Sequence, residues 1–339
     1  MHITRRTFIQ TSAALGAIGA LGALSAPAIA QGGIFNYKVG TNVQASHSLY
    51  IRLTEASEAI RKDTGGKVNI RIFPNGQLGS DTDMVSQVRS GAIDMLTTPG
   101  VVLANLVPMA SLNSVGFIFP DYPSVWKAMD GNLGNYMRSH IAKTGLVVTD
   151  KIFDNGFRHV TSQKPVNIPA DLAGMKIRVP VSPLLLSLFK SLGAASTPIN
   201  FNELYGALQT KVVEGQENPL TLIANSKLYE VQKNCAMTGH TWDGYWMVAN
   251  KRSMEALPAP MRAIVNQHMD AAAMAQRADS EKLAVSLQTD LAAKGMVFTR
   301  PDPAPFRKAL QQANFYQEWK SKFGDEAWAQ LEAAVGKLV

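Results

Sequence analysis

The sequence predicts an α/β protein of two lobes. Three observations predict it: strand-like and helix-like runs alternate from Phe35 onward, one β-α-β-α-β order occurs twice, and a helical stretch from Pro258 to Lys294 has no internal break. At 1.5 Å per residue this stretch would extend for ~50 Å, which is longer than one small domain is wide. We therefore expect one long helix that runs across both lobes.

The first β-α-β-α-β unit is predicted from the spacing of its apolar residues and from residues that begin or end helices. Apolar residues at spacings of three and four indicate the first helix, while Asp81 can cap the second helix and Gly91 ends it. In order, we expect strand 35–41, helix 48–62, strand 68–72, helix 81–90 and strand 92–97.

The second unit repeats this order and is followed by a helical C-terminal region. We expect strand 176–179, a helix from 182, strand 196–199, helix 202–210 and strand 212–215, then a strand at 296–299 and helices within 305–338. Residues 88–94 align weakly with residues 208–214, and chance is an alternative explanation. Because each segment closes its unit, a duplicated topology is favoured.

Residues 1–30 are typical of an export signal. Arg5 and Arg6 precede an apolar, small-residue run at 8–24, and Ala28-Ile29-Ala30 is a small-x-small cleavage site. The run is short and rich in Gly and Ala, so a permanent membrane anchor is the weaker interpretation. The paired arginines fit a twin-arginine signal or a Sec signal, and both lead out of the cytoplasm.

Charge and cysteine content exclude several classes of protein. Without residues 1–30, which hold two of the 33 Lys and Arg residues and none of the 26 Asp and Glu residues, the formal net charge is +5. This excess suits small anions but is spread along the chain, so nucleic-acid binding is not expected. Cys235 is the only cysteine, and no spacing predicts a metal site, a haem or another cofactor. A length of about 309 residues after signal removal predicts two domains.

Arg178 is the first candidate binding residue. It lies at the carboxyl end of strand 176–179, just before a helix start at Ser182-Pro183. Ligands of open α/β sheets bind beyond the carboxyl ends of strands, where a guanidinium matches a carboxylate in bidentate geometry. A surface salt bridge is an equally supported interpretation from position alone.

Two further polar residues occupy comparable positions. Asn218 follows the last strand of the second unit, although Asn before Pro219 more often caps a helix. Arg158 lies where the chain passes from one unit to the other, and ligands held between domains are contacted from such crossings.

The sequence lacks a catalytic constellation. His47, His140, His159 and His240 are scattered, and there is no nucleophile motif, P-loop or dinucleotide fingerprint. Trp242, Tyr245 and Trp246 form an aromatic cluster that is more typical of a core, although Trp242 is a candidate stacking wall.

Several motifs in order resemble the substrate-binding proteins of TRAP transporters, the DctP family. They are Phe73-Pro74-Asn75-Gly76-Gln77-Leu78-Gly79, Asn155-Gly156-Phe157-Arg158, the run 171–180 containing Lys176-Ile177-Arg178-Val179-Pro180, and 207–210 followed by Gly215-Gln216-Glu217-Asn218-Pro219. The resemblance covers almost the whole chain after residue 30. It implies a two-lobed periplasmic binding protein fold, type II-like, with a long helix spanning both lobes.

The resemblance also implies roles for individual residues. Arg178 would pair with a ligand carboxylate, with Arg158 and Asn218 as further contacts. Phe201 would be a pocket aromatic, and Asn42, Asp81 and Thr98 would line the first lobe. The Thr97-Thr98-Pro99-Gly100 run has no acidic residue where sialic-acid binders carry one, which argues against that sugar.

The implied assembly is a periplasmic monomer that captures a small organic acid and passes it to membrane permease subunits. We expect a first domain of 31–155 plus about 245–280, and a second of 156–244 plus about 281–339. A binding protein of an ABC transporter and a periplasmic enzyme acting on an organic acid are the alternatives. The sequence does not specify which acid is bound.

Overall fold

The structure is a computed structural model that describes residues 33–339, apart from the side chains of residues 284 and 285. The export signal expected at 1–30 lies outside the described residues. Within them, the strands are β1 Phe35–Thr41, β2 Val68–Phe73, β3 Met95–Pro99, β4 Leu146–Val148, β5 Phe153–Phe157, β6 His159–Ser162, β7 Lys176–Val179, β8 Ala195–Pro198, β9 Gly215–Asn218, β10 Asn234–Ala236, β11 Trp242–Asn250 and β12 Val297–Thr299.

Helices connect and cover these strands. They are α1 Ser48–Asp63, α2 Asp81–Ser90, α3 Gly100–Leu103, α4 Tyr122–Met129, α5 Asn132–Ala142, α6 Pro183–Ser191, α7 Leu204–Gln209, α8 Leu220–Asn225, α9 Lys251–Ala256, α10 Ala259–Ala293, α11 Pro303–Gln312, α12 Phe315–Phe323 and α13 Asp325–Val335.

Two sheets form the framework, and each defines one lobe. The first sheet has the order β2-β1-β3-β11-β4, with β5 also paired to β11, and the second has the order β12-β10-β6-β9-β7-β8. Both contain the same three parallel strands, β2-β1-β3 in one and β8-β7-β9 in the other, followed by an antiparallel neighbour. The expected α/β fold with a repeated unit is confirmed.

The chain crosses between the lobes at two strand junctions. β5 of the first sheet passes directly through Arg158 into β6 of the second, and β10 returns through residues 237–241 into β11. Helix α10 packs against α1 and β5 of the first lobe and against α8 and β12 of the second. The long helix therefore contacts both lobes, as the sequence predicted, and its bounds differ from the prediction by one residue at each end.

The C-terminal helices also join the lobes. Helices α11 and α12 contact α6 of the second lobe, while α13 contacts α4 and α5 of the first. Their apolar residues, among them Trp328 and Leu331, belong to one buried cluster with Leu96 of β3 and Ile177 of β7. Residues 34–339 form one compact unit as a result.

Several local boundaries differ from the sequence predictions; the strand expected at 92–97, for example, is β3 Met95–Pro99. Ser80, rather than Asp81, caps α2, because Ser80 and Asp83 form a reciprocal capping box. The helix expected at 202–210 is a 3-10 turn at 201–203 followed by α7. The strand expected at 212–215 is instead β9 at 215–218, because Lys211 adopts a left-handed φ of 60° and the turn continues to Val213.

Candidate functional site

Arg178 lies in the interior at the end of β7. Its side chain is 1% exposed, and Nε donates to the backbone oxygen of Ile199 at 2.8 Å. Nη1 has no hydrogen-bond partner among the residues that the structure describes. Burial lowers the pKa of Arg178 to about 10 although Glu217 opposes that change, so the guanidinium is charged at neutral pH. A buried cation with an unpartnered N–H group favours an anionic ligand.

Arg158 is buried to the same extent but is fully paired. Nε and Nη2 donate to the two carboxylate oxygens of Glu217 at 2.5 and 2.7 Å, and Nη1 donates to Asp243 Oδ2 at 2.7 Å. Nη2 also reaches Asn218 Oδ1 at 3.1 Å. The guanidinium therefore links the β5–β6 junction to β9 and β11 at the point where the chain crosses between the lobes.

Electrostatics around Arg158 set the charges of its neighbours. Burial raises the pKa of Glu217, but Arg158 and a hydrogen bond from His240 outweigh burial and hold this pKa at about 2. Burial lowers the pKa of His240, so its Nε2, 2.9 Å from Glu217 Oε2, belongs to a neutral imidazole. Burial raises the pKa of Asp243 against the influence of Arg158. Glu217 is thus held ionised beside Arg158.

Asn218 ends β9 and is held by side chains rather than by a helix end. Its Nδ2 donates to Gln216 Oε1 at 2.5 Å, and Pro219, not Asn218, occupies the N-cap position of α8. The helix-capping interpretation is therefore wrong, because β9 extends through Asn218. Gln216 of β9 pairs with Arg178 of β7, so both residues lie near the carboxyl ends of neighbouring parallel strands in the second sheet.

The first lobe faces this edge with Asn42, Asp81 and Tyr245. Asn42 Nδ2 donates to Asp81 Oδ1 at 2.8 Å, and Tyr245 Oη donates to Asn42 Oδ1 at 2.9 Å. Burial raises the pKa of Asp81, which Arg178 opposes. All three side chains are buried: Asn42 follows β1, Asp81 begins α2 and Tyr245 lies within β11.

Phe201 connects the two walls. Its backbone N–H, from the second lobe, donates to Asp81 Oδ2 of the first at 3.3 Å, and its ring lies 5.9 Å from the Arg178 guanidinium carbon. Asn42, Asp81 and Phe201 also line a pocket of about 310 Å³ that includes Tyr205 and Lys227. The lobes therefore contact each other directly beside Arg178.

The other two expected residues are buried in different surroundings. Thr98 lies near the carboxyl end of β3, and its Oγ1 has no partner among the described residues. Trp242 packs edge-on against Trp126, with ring centroids 5.3 Å apart, and its Nε1 donates to Asp154 Oδ1 at 2.9 Å. These contacts match the core interpretation of the aromatic cluster and join Trp242 to β5 rather than to Arg178.

The sequence did not predict the roles of Glu217, Asp243 and Tyr245. Glu217 belongs to a motif that was singled out, and an acidic residue inside a buried strand signals a cationic partner. Asp243 and Tyr245 are distant in sequence from the residues they contact, so no local pattern marks them.

A second pocket lies at the chain crossings. It has a volume of about 430 Å³, and its lining includes Phe119, Tyr122, Gly156, Pro219 and Arg307. Neither Arg178 nor Asn42 lines it. Within residues 33–339, no helix is both long and apolar enough to cross a membrane.

Comparison with known proteins identifies the family. The model of the bacterial extracellular solute-binding proteins, family 7 (DctP), matches residues 39–322. The chain belongs to this family. It is 33% identical to a solute-binding protein of Roseobacter denitrificans, and the match covers 81% of this chain and 85% of that relative. It is 28% identical, over 99% and 100%, to the C4-dicarboxylate-binding periplasmic protein DctP of Rhodobacter capsulatus.

A solved structure shows the same fold. The TRAP periplasmic solute-binding protein of Ralstonia eutropha, with bound (S)-2-acetolactate, superimposes with a TM-score of 0.84 at 30% identity, covering 88% of this chain and 98% of that one. The two-lobed fold predicted for this family 7 chain is confirmed.

Proposed function

We propose that this family 7 protein captures a small organic acid between its two lobes and delivers it to the membrane subunits of a TRAP transporter. The observation that carries the proposal is Arg178, a buried and charged guanidinium whose Nη1 has no partner among the described residues. A ligand carboxylate supplies the missing acceptor and the compensating charge.

Neighbouring residues support a binding role for this arginine. Arg158 is already paired with Glu217 and Asp243 and holds Asn218 in position, while Arg178 is left for the ligand. Phe201 of the second lobe lies beside Arg178 and donates to Asp81 of the first lobe, which in turn accepts from Asn42. Relatives support the ligand class: one is named for C4-dicarboxylates and one was solved with acetolactate. Thr98 and Trp242 complete the proposed set of ligand contacts.

The proposal also includes export of the chain and release of an unchanged ligand. We infer that residues 1–30 direct the chain to the periplasm and are removed, that the protein acts there as a monomer, and that it binds its ligand without converting it. N-terminal sequencing of periplasmic protein should begin near Gln31. Incubation with stoichiometric protein should deplete free ligand and release it unchanged on denaturation; a new product would favour the enzyme alternative.

Substitution of Arg178 tests the binding role. Arg178→Ala should weaken carboxylate binding by about 3 to 5 kcal/mol, which is roughly two to three decades in Kd, because the ligand charge would be buried without a partner. Arg178→Lys should also fail, since an ammonium lacks the planar fork. The ligand is first identified by mass spectrometry of what co-purifies, then titrated calorimetrically. Arg61→Ala, an exposed arginine of α1, is the matched control. Unchanged affinity in both Arg178 variants would contradict the proposal.

A further inference from the structure

We infer that the ligand carries one carboxylate and several neutral hydrogen-bonding groups, an inference that rests on the proposed function. Hydroxylated monocarboxylates should therefore bind in preference to dicarboxylates. Two independent features of the buried site point to this class: its charge balance and the position of its unpartnered polar atoms.

The charge balance leaves room for one ligand carboxylate. The cations in these contacts are Arg158 and Arg178, and Arg158 already faces Glu217 and Asp243 in direct ion pairs. Arg178 forms no direct ion pair with an acidic side chain of the described residues, and its Nη1 has no partner, so it is the guanidinium of the two that can take a ligand carboxylate. Burying a further ion without a partner is strongly unfavourable.

A second ligand carboxylate would meet acidic groups. Asp81 lies beside Arg178 on the opposite wall, and both of its oxygens already accept hydrogen bonds, from Asn42 and from the Phe201 backbone. A ligand hydroxyl can donate to such a carboxylate, whereas a ligand carboxylate cannot. The first-lobe wall thus favours hydroxyl donors over a second anion.

Neutral polar atoms gather at the carboxyl end of β3. Thr98 Oγ1 and Trp246 Nε1 are buried and have no hydrogen-bond partner within the described part of the chain, whereas Thr97, the neighbour of Thr98 in the strand, points to the opposite face of the sheet. Thr98 lies directly opposite Trp246 in the β3–β11 pairing, so both side chains point to the same face. Because most buried polar groups in proteins are hydrogen-bonded, these atoms indicate a polar ligand.

The adjoining segment shows the same feature. Asn113 and Ser114 end a 3-10 helix that packs on α3 and β11, and their side-chain polar atoms are likewise buried without described partners. This part of the first lobe contacts the second lobe just after Arg178, where Asn105 Nδ2 donates to Val181 O at 2.6 Å. A ligand anchored on Arg178 can therefore extend hydroxyl groups toward β3.

Pairs of acids of equal length test the preference. Succinate and D-erythronate each have four carbons, adipate and L-galactonate each have six, and butyrate lacks both a second carboxylate and hydroxyls. The full chain without its signal, unfolded and refolded to remove co-purified ligand, is titrated calorimetrically with each acid. In at least one length pair the hydroxylated acid should bind at least about tenfold more tightly than the dicarboxylate, and butyrate should bind more weakly than D-erythronate.

A variant locates the hydroxyl contact. Thr98→Val keeps the side-chain shape but removes the hydroxyl, so the affinity for the preferred hydroxylated acid should fall about three- to tenfold while butyrate affinity stays unchanged. Thr289→Val, on the exposed face of α10, is the matched control and should change neither affinity.

The outcomes separate this inference from the proposed function. A dicarboxylate that binds as tightly as its hydroxylated partner in both pairs, or a Thr98→Val variant that binds the preferred acid normally, would overturn the hydroxylated class and leave carboxylate capture standing. Wild-type protein that binds none of the five acids, or binds them equally well after Arg178→Ala, would overturn both.

Discussion

Two buried arginines of the same chemistry have opposite environments in this protein. Arg158 forms ion pairs with Glu217 and Asp243, whereas Arg178 has one backbone acceptor and an unpartnered Nη1 among the described residues. Position in the sequence marked both as candidates, and the family motifs distinguished them. The carboxylates that occupy Arg158 come from β9 and β11, 59 and 85 residues away, so this pairing depends on tertiary structure that no local pattern encodes.

The two arginines should therefore differ in their effect on stability. Arg158→Ala leaves Glu217 and Asp243 buried without a cation, so the free energy of unfolding should fall by about 3 to 5 kcal/mol. Arg178→Ala breaks no direct ion pair and should lower the stability of the ligand-free protein far less. Denaturant unfolding of ligand-free proteins measures both. Arg158→Lys keeps the positive charge but loses the planar guanidinium, so its loss of unfolding free energy should lie between those of wild type and Arg158→Ala. Equal losses of unfolding free energy for the two alanine variants would contradict this assignment.

Asp154 predicts a pH dependence of stability. Burial raises its pKa to about 6, although hydrogen bonds from Trp242 and Tyr122 oppose the shift. Because the folded pKa lies above the unfolded value near 4, the stabilising contribution is fully present below about pH 4 and is lost as the pH rises through 6. The loss amounts to up to about 3 kcal/mol.

Asp154→Asn should remove this loss. Its carbonyl oxygen can still accept from Trp242 Nε1, so the variant should match wild type at pH 4 and exceed its stability at pH 8. Thermal or denaturant unfolding at the two pH values measures the difference. Asp290→Asn, an exposed aspartate of α10, is the control and should show no gain. A gain of equal size at both pH values would show that ionisation of Asp154 is not its cause.

At the scale of elements, the order of strands and helices followed from the sequence because hydrophobic periodicity, caps and glycine stops are local signals. The sequence did not predict that β9 begins three residues later than expected, because this shift depends on the left-handed conformation of Lys211 and on the pairing of β9 with β6. That shift decides the site, because it moves Gln216, Glu217 and Asn218 into the strand beside Arg178. Boundaries set by tertiary pairing are the least accessible to sequence patterns.

The β5–β6 junction depends on a glycine conformation. Gly156 has φ of 114°, and a Cβ there would lie 3.3 Å from Pro219 Cβ and 3.5 Å from Tyr122 Oη. Gly156→Ala should therefore lower the free energy of unfolding by about 1 to 3 kcal/mol. Gly206→Ala in α7, where no atom lies within 4 Å and φ is not positive, should instead be neutral or slightly stabilising. Urea unfolding of both variants compares them; a neutral Gly156→Ala would mean that this junction relaxes without strain.

At the scale of the molecule, the contacts beside Arg178 come from both lobes. Phe201 and Asn225 of the second lobe meet Asp81 and Ser46 of the first, at 3.3 and 2.9 Å. With Arg178 1% exposed, a ligand cannot reach its guanidinium in this arrangement. The lobes must separate before binding and approach again afterwards, and the two strand junctions together with α10 are the connections that can bend. Gly156, with its φ of 114°, can absorb a hinge rotation, whereas Gly244 is confined within β11, where a Cβ would lie 2.5 Å from the Trp242 ring.

Small-angle X-ray scattering tests this coupling of binding to closure. Ligand contacts on both walls stabilise the closed arrangement relative to the open one, so saturating ligand should reduce the radius of gyration of the wild-type protein. Circular dichroism should show unchanged secondary structure, because the lobes move as units. Arg178→Ala is the matched variant: at the ligand concentration that closes wild type, its scattering should stay that of the open form, since it lacks the contact that anchors the carboxylate. A tightly bound ligand that leaves the wild-type curve unaltered would mean that the pocket is preformed and rigid, and the two walls around Arg178 would then have to admit ligand without separating.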